Sequence, residues 1–161
     1  MKIRRQVLFV TLLLAAVFTA ASQQNAPEPV RWRTLIKTTG ANTGTVTFKA
    51  LLAQGWHLYG FSMPEGGPKS TTIDLTGCRG MKFTGEITPS RQPVQEKDPL
   101  FGMTLSWWDT NVDFTVPFIV TDPSAAHLDV KITFMACDGT SCRPPKTETV
   151  AVPVKLKPIT K

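Results

Sequence analysis

The sequence predicts an all-β chain folded as one immunoglobulin-like antiparallel β-sandwich. Three observations point there. Short extended runs, roughly eight or nine of them, follow one another with turn signals about every ten residues. No window carries the apolar stripe of an amphipathic helix. Proline is frequent, at 13 of 161 residues, and no internal repeat interrupts the pattern.

The runs follow in chain order. Val30 to Thr38 and Thr45 to Leu52 flank Gly40-Ala41-Asn42-Thr43-Gly44, a loop signal between two strand-like stretches. In the second stretch Val46, Phe48 and Ala50 alternate with Thr45, Thr47 and Lys49, the period of a strand with one wet face. Trp56 to Phe61 is a further run, ended by residues 62–68 with their two prolines and two glycines. Thr71 to Leu75 and Met81 to Ile87 lie on either side of Thr76-Gly77-Cys78-Arg79-Gly80. Met103 to Trp108 and Val112 to Val120 are expected to face each other across Asp109-Thr110-Asn111. Then Leu128, Val130, Ile132, Phe134 and Ala136 share one parity, while Asp129, Lys131, Thr133, Met135 and Cys137 share the other. Thr147 to Val154 returns after a turn.

Residues 89–102 are expected to be no strand at all. They hold three prolines and little periodicity, yet end in the apolar pair Leu100 and Phe101. Long loops of this kind in compact domains are commonly lids or binding loops. A hydrophobic tip on a polar loop needs something to cover.

The first residues read differently. Lys2, Arg4 and Arg5 precede an apolar run from Val7 to Ala21, and Ala20, Ala21 and Ser22 supply small residues for cleavage. This is the pattern of a secretory signal peptide, so residues 1–22 are expected to be a leader and residues 23–161 the domain. The run is short for a membrane span, which takes roughly 20 residues, so no span is expected after cleavage. Eighteen basic against 12 acidic residues give a net charge of +6, which falls to +3 without the three leader cations. With no dense basic block and no aromatic platform, nucleic acid is a poor partner. No nucleophile elbow, phosphate loop or paired-carboxylate pattern supports hydrolytic or nucleotide chemistry, and no cofactor is expected.

Export places the chain where cysteines can pair. Three are present, Cys78, Cys137 and Cys142. If the strand ending at Cys137 turns back through Asp138-Gly139-Thr140-Ser141, Cys142 comes to lie opposite Cys137. Paired positions are about 4.5 to 5.5 Å apart at Cα, within disulfide range. The pair could be a staple, the usual fate of cysteines in exported domains. Closing a loop of about six residues, however, removes only about 2 kcal/mol of unfolded-state entropy. Parity also turns Cys137 away from the face that Ala136 ends, toward solvent or the underside of a loop, and reactive cysteines are partly exposed. Pro144 and Pro145 offer no backbone donors and stop regular pairing beside Cys142. Arg143 is placed to favour a thiolate on Cys142, and Asp138 to oppose one on Cys137. Staple and redox pair both stand on these grounds.

Phe134-Met135-Ala136-Cys137-Asp138-Gly139-Thr140-Ser141-Cys142-Arg143-Pro144-Pro145, with Gly55 to Phe61 upstream and Lys97 to Gly102 between, resembles the amino-terminal periplasmic domain of the DsbD family of transmembrane thiol:disulfide interchange reductases. The likeness runs from about Val30 to Val154. It implies an immunoglobulin-like sandwich whose Cys137 and Cys142 pass electrons between thioredoxin-like proteins, with Cys142 forming the mixed disulfide. It also implies that Asp98, Leu100 and Phe101 form a cap loop over the pair, and that His57 and Tyr59 line the site. A periplasmic location follows from the same likeness. Three departures stand out: the loop between the cysteines is one residue shorter, Leu100 holds the position of the cap aromatic with Phe101 beside it, and neither a multi-span membrane domain nor a Cys-X-X-Cys module is present. Exchange with separate thioredoxin-like partners, and with a separate membrane thiol reductase, is therefore expected. The alternative is a stapled binding or accessory module without electron flow. Cys78 reads as an idle thiol or an intermolecular link. Cys137, Cys142, His57 and His127 lack the spacing of a metal site, so no metal is expected.

Overall fold

The structure is a computed structural model, and it describes residues 28–156. The expected leader lies outside the described residues. Twelve strands are formed: β1 Val30–Thr38, β2 Thr43–Leu52, β3 His57–Tyr59, β4 Thr72–Asp74, β5 Met81–Phe83, β6 Thr88–Pro89, β7 Val94–Lys97, β8 Thr104–Trp108, β9 Val112–Val120, β10 His127–Phe134, β11 Ala136–Cys137 and β12 Lys146–Pro153. All pairings are antiparallel. The fold is the expected immunoglobulin-like sandwich, and among the described residues no helix is long and apolar enough to cross a membrane.

One layer is the sheet β1-β2-β9-β5, with β6 also paired to β9. The other is split into β12-β10-β4 and β11-β3-β8-β7. The split falls at Met135, where the strand of alternating residues passes from β10 to β11 and the Met135 carbonyl accepts from the Tyr59 amide at 3.3 Å. Between the layers, Val46, Phe48 and Ala50 of β2 and Val112, Phe114, Val116 and Phe118 of β9 meet Leu128, Val130, Ile132 and Phe134 of β10. Each such side chain contributes about 1.5–3 kcal/mol by leaving water. The two-residue period of β2, β9 and β10 dictates this inner face.

One expectation is refined and one needs correction. Met103 to Trp108 and Val112 to Val120 do face each other, but from different sheets. The chain crosses between layers at residues 109–111, so the two strands face each other through the core, with Trp108 and Phe114 edge to face at 4.9 Å. Residues 89–102 are not strandless either. Val94–Lys97 pairs with β8, from Val94↔Trp107 to Lys97↔Thr104. The prolines do not prevent this, because Pro93 and Pro99 flank β7 and β7 is an edge strand, where missing donors are tolerated.

Candidate functional site

The sheet β11-β3-β8-β7 buries one face in the main core and carries a second apolar cluster on the other. Leu58, Trp108 and Ala136 point inward. By alternation His57, Tyr59, Leu105, Trp107 and Cys137 share the opposite face. There Tyr59, Leu105 and Cys137 are buried, with Met63, Phe101, Met103, Trp107, Met135 and Cys142 packed against them. Met103, Leu105 and Trp107 share one parity, a signal in the sequence that could have assigned them to this face.

Cys137 and Cys142 are joined as a disulfide, with Cα atoms 4.0 Å apart, closer than the spacing expected of a regular pair. Between them the Asp138 carboxylate accepts from the amides of Thr140 and Ser141 at 2.9 and 2.8 Å, and Gly139 supplies the left-handed turn at φ 85°. The hydroxyl and amide donors of Thr140 hold Asp138 down at a pKa of about 2. The Arg143 amide then donates to the Ala136 carbonyl at 2.9 Å, which closes the hairpin. Parity placed Cys137 correctly, on the underside of a loop. It is not partly exposed, though: Cys137 is 0% exposed, and Cys142 alone of the pair is reached by solvent.

The tip of the β7–β8 hairpin, residues 98–103, packs against the second apolar cluster through Phe101 and Met103. Asp98 is its anchor and is 1% exposed. It accepts from the Tyr59 hydroxyl at 2.7 Å and from the amides of Leu100 and Phe101 at 2.8 and 3.0 Å. Its carbonyl accepts from Gly102, whose φ of 66° completes the turn. Burial alone would raise the Asp98 pKa, but these donors hold it below the ordinary carboxylate value. Burial and the bond to Asp98 push the Tyr59 hydroxyl well above the usual phenol range. Phe101 lies edge to face with Tyr59 at 6.0 Å and packs in the same apolar cluster as Cys137 and Cys142. Leu100, at the position aligned with the cap aromatic, is 42% exposed.

His57 is the direct cross-strand partner of Cys137. Its ring packs at 5.0 Å from Tyr59 and 5.2 Å from Trp107. Its Nε2 is buried with no hydrogen-bond partner, 3.9 Å from the Asp98 carboxylate. Burial lowers its pKa below the ordinary histidine value against the pull of Asp98, which favours the neutral ring. Arg143 sits with its guanidinium 5.7 Å from the Trp56 ring centre, a partner that the sequence reading did not identify.

The remaining candidates lie elsewhere. Cys78 is free and packs against the main core, its sulfur 3.4 Å from both the amide and the carbonyl of Asp129, and burial raises its pKa. His127 pairs with Arg79 at the start of β10. Among the described residues no three His, Cys, Asp or Glu side chains are grouped to hold a metal ion.

Comparison with known proteins adds three findings. The family model for "Thiol:disulfide interchange protein DsbD, N-terminal" matches residues 23–153. The crystal structure of the N-terminal periplasmic domain of ScsB from Proteus mirabilis aligns with a TM-score of 0.56 at 19% identity, over 80% of this chain and 48% of that one. This chain thus spans about half the length of that structure. The yeast GGA1 GAE domain aligns with a TM-score of 0.43 at 7% identity, over 81% of this chain and 96% of that one. No curated protein matches the sequence. By the match over residues 23–153, the chain belongs to the DsbD N-terminal family of thiol:disulfide interchange domains.

Proposed function

We propose that this domain is a periplasmic electron carrier that uses the Cys137–Cys142 disulfide reversibly and exchanges it with thioredoxin-like proteins. The observation that carries the reading is the position of the pair. It lies outside the main core, in a second cluster shared with Phe101 and Met103 of the β7–β8 hairpin, with one cysteine buried and the other partly exposed.

The chemistry follows from that asymmetry. Exchange needs a thiolate in line with a disulfide sulfur and passes through a mixed disulfide. Cys142 is the sulfur a visiting protein can touch, so it forms the mixed disulfide, and Cys137 resolves it from beneath. With the tip down, Phe101 covers the pair and keeps chance oxidants away. With the tip raised, Cys142 is open to a partner, a shift between two populations. The exposed Leu100 is then free to meet the partner's surface. A separate membrane thiol reductase would recharge the pair through a thioredoxin-like module.

The test is capture. A Cys137→Ser variant keeps Cys142 as the one thiol at the site and, once activated by an aromatic disulfide, should trap a thioredoxin that lacks its own resolving cysteine as a stable mixed disulfide. The Cys142→Ser variant should trap none. Equal trapping by both variants, or by neither, would contradict the assignment and favour the stapled binding module.

A further inference from the structure

We infer that His57 is the proton acceptor for the Cys137 thiol when that sulfur resolves a mixed disulfide. The inference rests on the exchange reading and assigns its missing proton path. In the closed disulfide form Cys137 is wholly buried against its neighbour strand β3, so a side chain of β3 stands closer to its proton than bulk water does. A thiol attacks only as thiolate. The nearest acceptor is then a group of the sheet itself, which stays beside Cys137 when the tip is raised.

The titratable and charged groups around the site are few. Asp98 comes from the cap hairpin, Asp138 from the loop between the cysteines, Asp109 from the crossing after β8, and Tyr59 from the same strand as His57. Asp98 already accepts from three donors, and its pKa is depressed. Asp138 is occupied by its own loop. Tyr59 already donates to Asp98. His57 alone combines a neutral ring, an unpartnered buried nitrogen and direct cross-strand register with Cys137. Directly opposed residues place Cβ atoms about 4.5–5.5 Å apart on one face, within side-chain reach. With the tip down, Nε2 lies 3.9 Å from the Asp98 carboxylate, whose charge stabilises the imidazolium as the tip returns.

The step balances. Cys142 is bonded to the partner's sulfur; Cys137 gives its proton to His57, and its thiolate attacks Cys142 Sγ. The Cys137–Cys142 bond forms and the mixed bond breaks. The partner's sulfur leaves with the electron pair and takes a proton from the imidazolium, directly or through water. The pair is oxidised by two electrons as the partner's disulfide is reduced to two thiols, and the reverse direction runs through the same states.

The reduced protein with an aromatic disulfide that releases a coloured thiolate reports both steps. The first equivalent comes from attack by Cys142 and the second from resolution by Cys137. In the wild type the second rate should follow one ionisation at or below the ordinary histidine value and then level off until the thiol itself titrates. In His57→Gln the plateau should vanish and the rate at pH 6 should fall about a hundredfold, within the range for general base catalysis, with the first equivalent unchanged. A wild-type second phase that rises tenfold per pH unit from pH 5 to 8 would overturn the inference, and this requires no variant to fold. An unchanged second phase in His57→Gln would overturn it too, leaving the exchange reading intact. Release of neither equivalent would remove both.

Discussion

Asp98 is where the site depends most on one side chain. It was legible in the sequence only through the family resemblance, because an aspartate before a proline in a polar stretch otherwise reads as a solvated turn. Its burial is set by Tyr59, 39 residues away, and that partnership is invisible to periodicity. Because its folded pKa is depressed, the stability it gives the cap is complete above the ordinary carboxylate value of about 4 and is lost as pH falls through the lower folded value. Reduction of the disulfide by a water-soluble phosphine should therefore accelerate below about pH 4, and Asp98→Asn should abolish that acceleration; a flat wild-type profile would count against the latch. Phe101 and Leu100 separate in the same way. Phe101→Ala should speed phosphine reduction at pH 7 by about tenfold, as a lost aromatic contact of about 1.5 kcal/mol implies, while Leu100→Ala should leave it within about twofold. Equal effects would mean that Leu100 shares the shielding.

At the level of elements, the inner faces of β2, β9 and β10 were readable because a buried sheet face imposes a strict two-residue period on apolar side chains. β7 was not readable, since its four residues carry mixed polarity and their partner is an edge contact with β8. The partnership of β8 was also hidden: both of its faces are covered, one by the main core through Trp108 and the other by the second cluster through Leu105, so no single wet face marks its sheet. The β7–β8 turn depends on Gly102, whose φ of 66° a β-branched residue adopts only at a cost of about 1–2 kcal/mol. Gly102→Val should speed amide exchange at Leu100 and Phe101 without altering exchange in β9 or β10. Uniformly faster exchange would show that the hairpin is part of the global folding unit and not a movable cover.

For the whole molecule, the separation of two apolar clusters decides what the disulfide is for. The main core does not include either paired cysteine. Reducing the pair should lower stability by only about 2 kcal/mol, or roughly 5–10 °C in Tm, and leave the β-sheet circular dichroism spectrum unchanged. Unfolding on reduction would make the bond a structural staple. The central claim is reversibility, and an equilibrium redox titration of Cys137–Cys142 against dithiol buffers measures it most directly. A carrier should show a midpoint less negative than about −300 mV and equilibrate readily with thioredoxin, whereas a midpoint below that value, unmoved by thioredoxin, would identify a permanent cross-link.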